Sequence, residues 1–186
     1  MQDREHYCND IGNFPLGKFL QVGTDKGSKI LIVGESPAPN GWRKSGKAFY
    51  TVEGKLLPTG KNLNLLLRDS GLSVETCGFT ELVKCFVGKD RHLLKTCGEK
   101  CWSIFTSQLK VHNFTFLILL GVKTTELFNL YAKTNLIIGS LGKIKIEDHT
   151  YTVLPLYHPS PISPIGYKNN VKIFEANREE IKKLIK

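Results

Sequence analysis

Four stretches of the chain are apolar runs of the length that predicts buried strands, and the segments between them carry helical spacing. Ile30-Leu31-Ile32-Val33 is an apolar, β-branched run that stops at Gly34. Gly78 to Phe86 reads as a second strand, interrupted by the polar Thr80 and Glu81, which are placed to face a site. Phe114 to Leu120 is the longest apolar run, and Tyr151 to Tyr157 is the fourth strand. Gly60 to Gly71 carries leucines at helical spacing and ends on a glycine stop. Trp102, Ile104, Phe105 and Leu109 predict a helix over Gly98 to Val111, another begins near Thr124, and a Lys/Glu-rich helix runs from about Val171 to Lys186. A hairpin is expected around Gly139 to Gly142, and residues 1–28 read as an irregular leader. Strands alternating with helices over short connections predict an α/β fold. Its expected form is a three-layer α/β/α arrangement of residues 1–186 around a central, mainly parallel four-stranded sheet.

Two of the strands end in polar, proline-stiffened loops. Ile30–Val33 runs into Gly34-Glu35-Ser36-Pro37-Ala38, and the Tyr151 strand runs into His158-Pro159-Ser160-Pro161. Ligands of open α/β sheets bind at the carboxyl ends of strands, so these two loops predict one shared site. Trp42 to Thr59, rich in Gly, Lys and Pro, is placed to wrap over it. The loops offer a carboxylate (Glu35), an imidazole (His158) and hydroxyls (Ser36, Ser160, Ser163), a set suited to acid/base work and to stabilising an anion. A serine hydrolase built on Ser36 is disfavoured. The loop lacks the second glycine of a nucleophile elbow, and Pro37 removes the amide that would complete an oxyanion hole. An unrelated nucleotide-binding protein is disfavoured because no Gly-rich phosphate loop follows the first strand.

Composition narrows the partner. A chain of 186 residues with 41% hydrophobic content can bury one core, and a formal net charge of +9 points to an anionic partner, nucleic acid first. The start, Met1-Gln2-Asp3-Arg4-Glu5-His6, is charged and followed by no apolar segment, and Phe114–Leu120 is too short to cross a bilayer. An intracellular monomer that touches no membrane is expected. Five cysteines in a reducing compartment point to thiols or metal ligands rather than disulfides.

The paired loops resemble the two signature loops of the uracil-DNA glycosylase superfamily, with Gly34-Glu35-Ser36-Pro37-Ala38 at one end and His158-Pro159-Ser160-Pro161-Ile162-Ser163 at the other. The middle of the chain agrees in order. Gly46-Lys47-Ala48-Phe49 resembles the segment whose phenylalanine stacks on an extruded base, and Val83-Lys84-Cys85 a strand end of the iron-sulfur branch. The resemblance implies a monofunctional DNA glycosylase that removes uracil or another deaminated base and leaves an abasic site. Glu35 would stabilise the sugar cation and position water, and His158 would donate to the departing base oxygen. Gly34, Ser36, Ala38, Phe49 and Glu81 would contact the base, Ser160 and Ser163 the phosphates, and Ile162 would sit where related enzymes insert a wedge. The alternative is a catalytically weak member that binds nucleic acid or a damaged base without turnover.

Two departures from the iron-sulfur pattern matter. Glu81 stands where that branch reads uracil with an asparagine. An ionised carboxylate only accepts hydrogen bonds, whereas a protonated Glu81 would imitate the amide; a base carrying an amino group is the other reading. The cysteines match in part: Cys8, Cys85 and Cys101 fall at ligand positions, and Cys97, one helical turn from Cys101, would supply a fourth thiolate to a 4Fe-4S cluster or, second to it, zinc. The chemistry itself requires no cofactor.

Overall fold

A computed structural model describes residues 10–185. Its strands are β1 (Leu20–Gln21), β2 (Ile30–Gly34), β3 (Gly78–Glu81), β4 (Phe116–Leu120), β5 (Gly142–Ile146) and β6 (His149–Leu156). The helices are α1 (Trp42–Ser45), α2 (Pro58–Leu67), α3 (Leu93–Val111), α4 (Val122–Ala132), α5 (Pro164–Ala176) and α6 (Arg178–Leu184). The sheet order is β1-β3-β2-β4-β6-β5. The expected four parallel strands, β3-β2-β4-β6, form its centre, and antiparallel β1 and β5 extend it to six.

Side chains of the central strands alternate between two layers, as the period of a strand requires. Leu31, Val33, Leu117, Leu119 and Val153 pack with α3 and α4. Ile30, Ile32, Phe116, Ile118, Leu154 and Leu156 pack with α2, α5 and α6 on the other face. Both faces are therefore covered, which is why these strands read as continuous apolar runs rather than as alternation.

Four expectations shift. The leader is not wholly irregular, since Leu20 and Gln21 pair with Thr80 and Phe79. The hairpin turn lies at Glu147 and Asp148, not at Gly139–Gly142, because Gly142–Ile146 is itself a strand. Its Lys143 and Lys145 are exposed and its Ile144 and Ile146 buried, the charged outer face of an edge strand. Helix α3 starts at Leu93 and runs through Gly98, whose missing side chain leaves room for the Tyr131 ring of α4. The last helix breaks at Asn177, whose side-chain amide turns back to the carbonyl of Ile173 at 2.8 Å.

Candidate active site at the carboxyl edge of the sheet

The chain leaves β2 in two directions, to β3 on one side and β4 on the other, so a crevice opens beyond the carboxyl end of β2. A cavity of about 650 Å³ occupies it. The Gly34–Gly41 loop, the start of α4 at Leu120–Thr124, the segment after β3 at Phe86–Arg91, Phe49 and His158 line it. The two strand-end loops thus meet across one cavity, and the Trp42–Thr59 segment covers it through Trp42, Phe49, Leu57 and Thr59.

Glu35 sits at the lip with its side chain 18% exposed. Its backbone is fixed by the amide of Val83, which donates to Glu35 O at 2.9 Å, while Leu82 N donates to Gly34 O. The carboxylate accepts from Arg91 Nη2 at 2.6 Å. Arg91 was not singled out from sequence; the one signal was a basic residue in the loop following β3, at the same sheet edge as Glu35.

His158 also lines the cavity, beside Gly121, whose φ of +107° is a backbone conformation that suits glycine. Its loop is pinned from two helices. Asn170 of α5, fully buried, donates to Tyr157 O and accepts from Tyr157 N, and Asn62 of α2 donates to Pro159 O at 2.9 Å. Burial of the imidazole against the cavity wall lowers its pKa below the ordinary histidine value, and the nearby Glu35 charge opposes that only in part. One side of the residue remains open to solvent. Burial thus favours the neutral ring, which presents an N–H without a charge.

Phe49 takes a left-handed backbone conformation, φ +63°, unfavourable for a bulky side chain. The surroundings hold it there. Its ring meets Phe79 edge-on at 4.5 Å, and Gly60 beneath it has no side chain to collide with its Cβ. Trp42 stacks on the Phe79 ring at 5.8 Å, completing an aromatic wall.

Glu81, the last residue of β3, lines the cavity and is only 6% exposed. Its carboxyl lies over Gly34, where any side-chain carbon would run into Oε2. Burial raises its pKa to about 8, with repulsion from Glu35 adding to the shift and Lys84 opposing it.

The remaining expected residues lie further out. Ser36 and Ala38 line the cavity. Ser160, Ile162 and Ser163 do not; they form a turn beyond His158 in which Ser163 N donates to Ser160 O and Ile162 N to Ser160 Oγ. Ile162 is 93% exposed, so it does not pack on its own loop. Cys8 lies outside the described residues. Cys85, Cys97 and Cys101 are buried in the core between β3 and α3, where Lys84 N donates to Cys101 Sγ at 3.3 Å. Among the described residues no three His, Cys, Asp or Glu side chains gather closely enough to hold a metal ion. The three thiols are packed in the same core as Leu82, Val83, Leu94 and Phe105.

An α/β/α fold with a ligand-sized crevice at the switch of its parallel strands, lined by both a carboxylate and an imidazole, is an arrangement suited to acid/base chemistry on strand-end loops. The family model of the uracil DNA glycosylase superfamily matches residues 20–182, nearly the whole chain, and the protein belongs to that superfamily. A search of curated proteins finds no match. The described residues contain no helix long and apolar enough to cross a membrane.

Proposed function

We propose that the protein is a monofunctional DNA glycosylase that removes uracil or another deaminated base and leaves an abasic site. The observation that carries this reading is that Glu35 and His158 line one cavity, together with the aromatic Phe49 and the buried carboxyl of Glu81. Breaking the N-glycosidic bond sends its electron pair to the base and leaves a cationic sugar. Glu35 lies where a carboxylate would stabilise that cation and take a proton from the water that adds to C1′. The neutral His158 would donate its N–H to the base oxygen that gains negative charge, a task that needs a donor but no net charge. The base leaves as an anion and is protonated from solvent.

DNA attraction is supported by the net charge of +9 and by exposed Lys89, Arg91 and Lys123 around the mouth, with Lys44 and Lys47 on the adjoining segment. The exposure of Ile162 suits a wedge that enters the duplex when a base is extruded. The Arg91–Glu35 ion pair favours one further statement: the carboxylate is engaged before DNA arrives, and a chain that kept it engaged would bind without turning over.

The deciding experiment incubates the protein with oligonucleotides bearing one uracil, hypoxanthine, xanthine or mismatched thymine, then cuts abasic sites with alkali. Cleavage confined to some of these bases is expected; tight binding with no cleavage of any would establish the non-catalytic alternative. Phe49→Ala removes the stacking platform, and loss of one base–aromatic contact predicts a fall of about 5- to 100-fold in single-turnover excision. Because Phe49 also packs on Phe79, thermal unfolding is measured alongside. A loss of excision explained wholly by unfolding would remove Phe49 from base binding.

A further inference from the structure

We propose that Glu81 is a base-reading group that works as a neutral carboxylic acid, so that the cavity accepts bases with a lactam edge, a ring N–H beside a carbonyl, and rejects them when the acid ionises. This rests on the glycosylase reading above and specifies its substrate class.

Three geometric facts support it. The carboxyl is more than nine-tenths buried, lines the cavity and makes no hydrogen bond to any described residue. Buried polar groups are normally paired, so an unpartnered one facing a cavity marks where a ligand supplies the partner. Second, Lys84, whose charge acts against the upward shift of Glu81, makes no direct hydrogen bond to its carboxyl. Lys84 Nζ donates to Thr80 Oγ1 at 2.7 Å, to Gln108 Oε1 at 2.6 Å and to the backbone carbonyl of Glu81, which uses its three donors. Third, the charges facing the floor from other elements do not favour a second anion there. Glu35 follows β2, is already ionised against Arg91, and repels a charge on Glu81. His158, after β6, is favoured in its neutral form by burial. Lys89 and Arg91, after β3, and Lys123 on α4 lie at the mouth, exposed to solvent.

A carboxylic acid offers one O–H donor and one carbonyl acceptor side by side. A lactam offers the complementary acceptor and donor, so the two close a cyclic pair, as an amide side chain would. An ionised carboxylate keeps the acceptor, loses the donor and repels the base oxygen. Uracil, thymine, hypoxanthine, xanthine and guanine carry this edge; cytosine and adenine present an amino group there instead. The raised pKa, about 8, is consistent with the acid form at neutral pH.

The test compares the wild type with Glu81→Gln, whose amide has the same length but does not titrate. Excision from a uracil oligonucleotide by the wild type is expected to fall about tenfold between about pH 7 and about pH 9, and the fall is expected to vanish in E81Q. Two readouts do not need turnover. Binding of an oligonucleotide with an uncleavable 2′-fluoro-deoxyuridine should weaken over the same range in the wild type only. Denaturant unfolding reports the acid itself. A carboxyl whose folded pKa is raised contributes stability that is full below its ordinary range and is lost as pH rises through about 8, so the wild type minus E81Q difference should decline across that window.

Parallel pH profiles for the two proteins in both binding and unfolding would overturn the proposal, as would excision of amino-bearing bases that E81Q abolishes. Absence of excision from every base, with the binding difference intact, would sink the glycosylase reading and leave the reading of Glu81 standing.

Discussion

Glu35→Gln is expected to reduce base excision by about 10²- to 10³-fold while leaving DNA binding equal or tighter. The amide keeps the length and shape of the side chain and leaves untouched the backbone bond from Val83 N to Glu35 O, but removes the negative charge that the proposed mechanism sets against the sugar cation. In a cavity partly closed by Trp42, Phe49 and Leu57, that charge acts in a medium of lower polarity than water, where an oriented charge is worth most. Binding moves the other way because a carboxylate near DNA phosphates is repulsive. The substitution also releases Arg91, which is 56% exposed on its side chain and free to turn to a phosphate. The Arg91–Glu35 pair itself is worth little to stability, since one partner is well solvated. The measurement is single-turnover release from a uracil oligonucleotide, with binding followed on an uncleavable analogue. A variant within about threefold of the wild-type rate would place the sugar-stabilising charge elsewhere.

The site was legible in sequence wherever its signal was local. Ile30–Val33 ending at Gly34, and Tyr151–Tyr157 ending at His158, name two strand ends by pattern alone, and parallel strands put both ends on one edge. The interruption of the β3 pattern placed Glu81 correctly at the cavity but not Thr80, whose hydroxyl is instead hydrogen-bonded inside the core to Phe19 O and Gln108 Oε1. What sequence did not show was reciprocal contact over distance. Arg91 reaches Glu35 across 56 positions, and Asn170, an unremarkable polar residue in an amphipathic helix, is the clamp on the His158 loop. Gly34 illustrates the difference. Its role as a strand stop was plain, but its second role, yielding space to the Glu81 carboxyl, depends on the register that sets Gly34 opposite Glu81. The cysteines show the same limit of a local signal. Spacing places Cys97 and Cys101 on one face of α3, yet the face is turned into a dense apolar core.

Lys84→Met is expected to destabilise the fold by about 3–5 kcal/mol, the sum of several buried acceptors each left short of a donor. Lys84 is fully buried, and methionine nearly matches its length, so the loss is not one of packing. It arises from the network the ammonium completes. Gln108 of α3 accepts from Lys84 and from Thr80 Oγ1, and its amide donates to Leu16 O and Lys18 O; Thr80 Oγ1 also lies 2.7 Å from Phe19 O. One side chain thus ties the segment before β1 to β3 and α3. Without it the backbone carbonyl of Glu81 loses its side-chain donor, Gln108 Oε1 keeps only Thr80, and buried acceptors left short of donors cost about 1–3 kcal/mol each. The offset is real, because burial penalises the ammonium and lowers its pKa to about 7, and methionine escapes that penalty. The three acceptors decide the balance against methionine, since they stay buried when the donor goes. Urea unfolding of the wild type and K84M measures it, and a variant of unchanged midpoint would mean that the desolvation cost of Lys84 already cancels its hydrogen bonds. Because Glu81 O is one of those acceptors, the same substitution should loosen the cavity floor. Weaker discrimination between uracil and cytosine oligonucleotides is then expected from the fraction that remains folded.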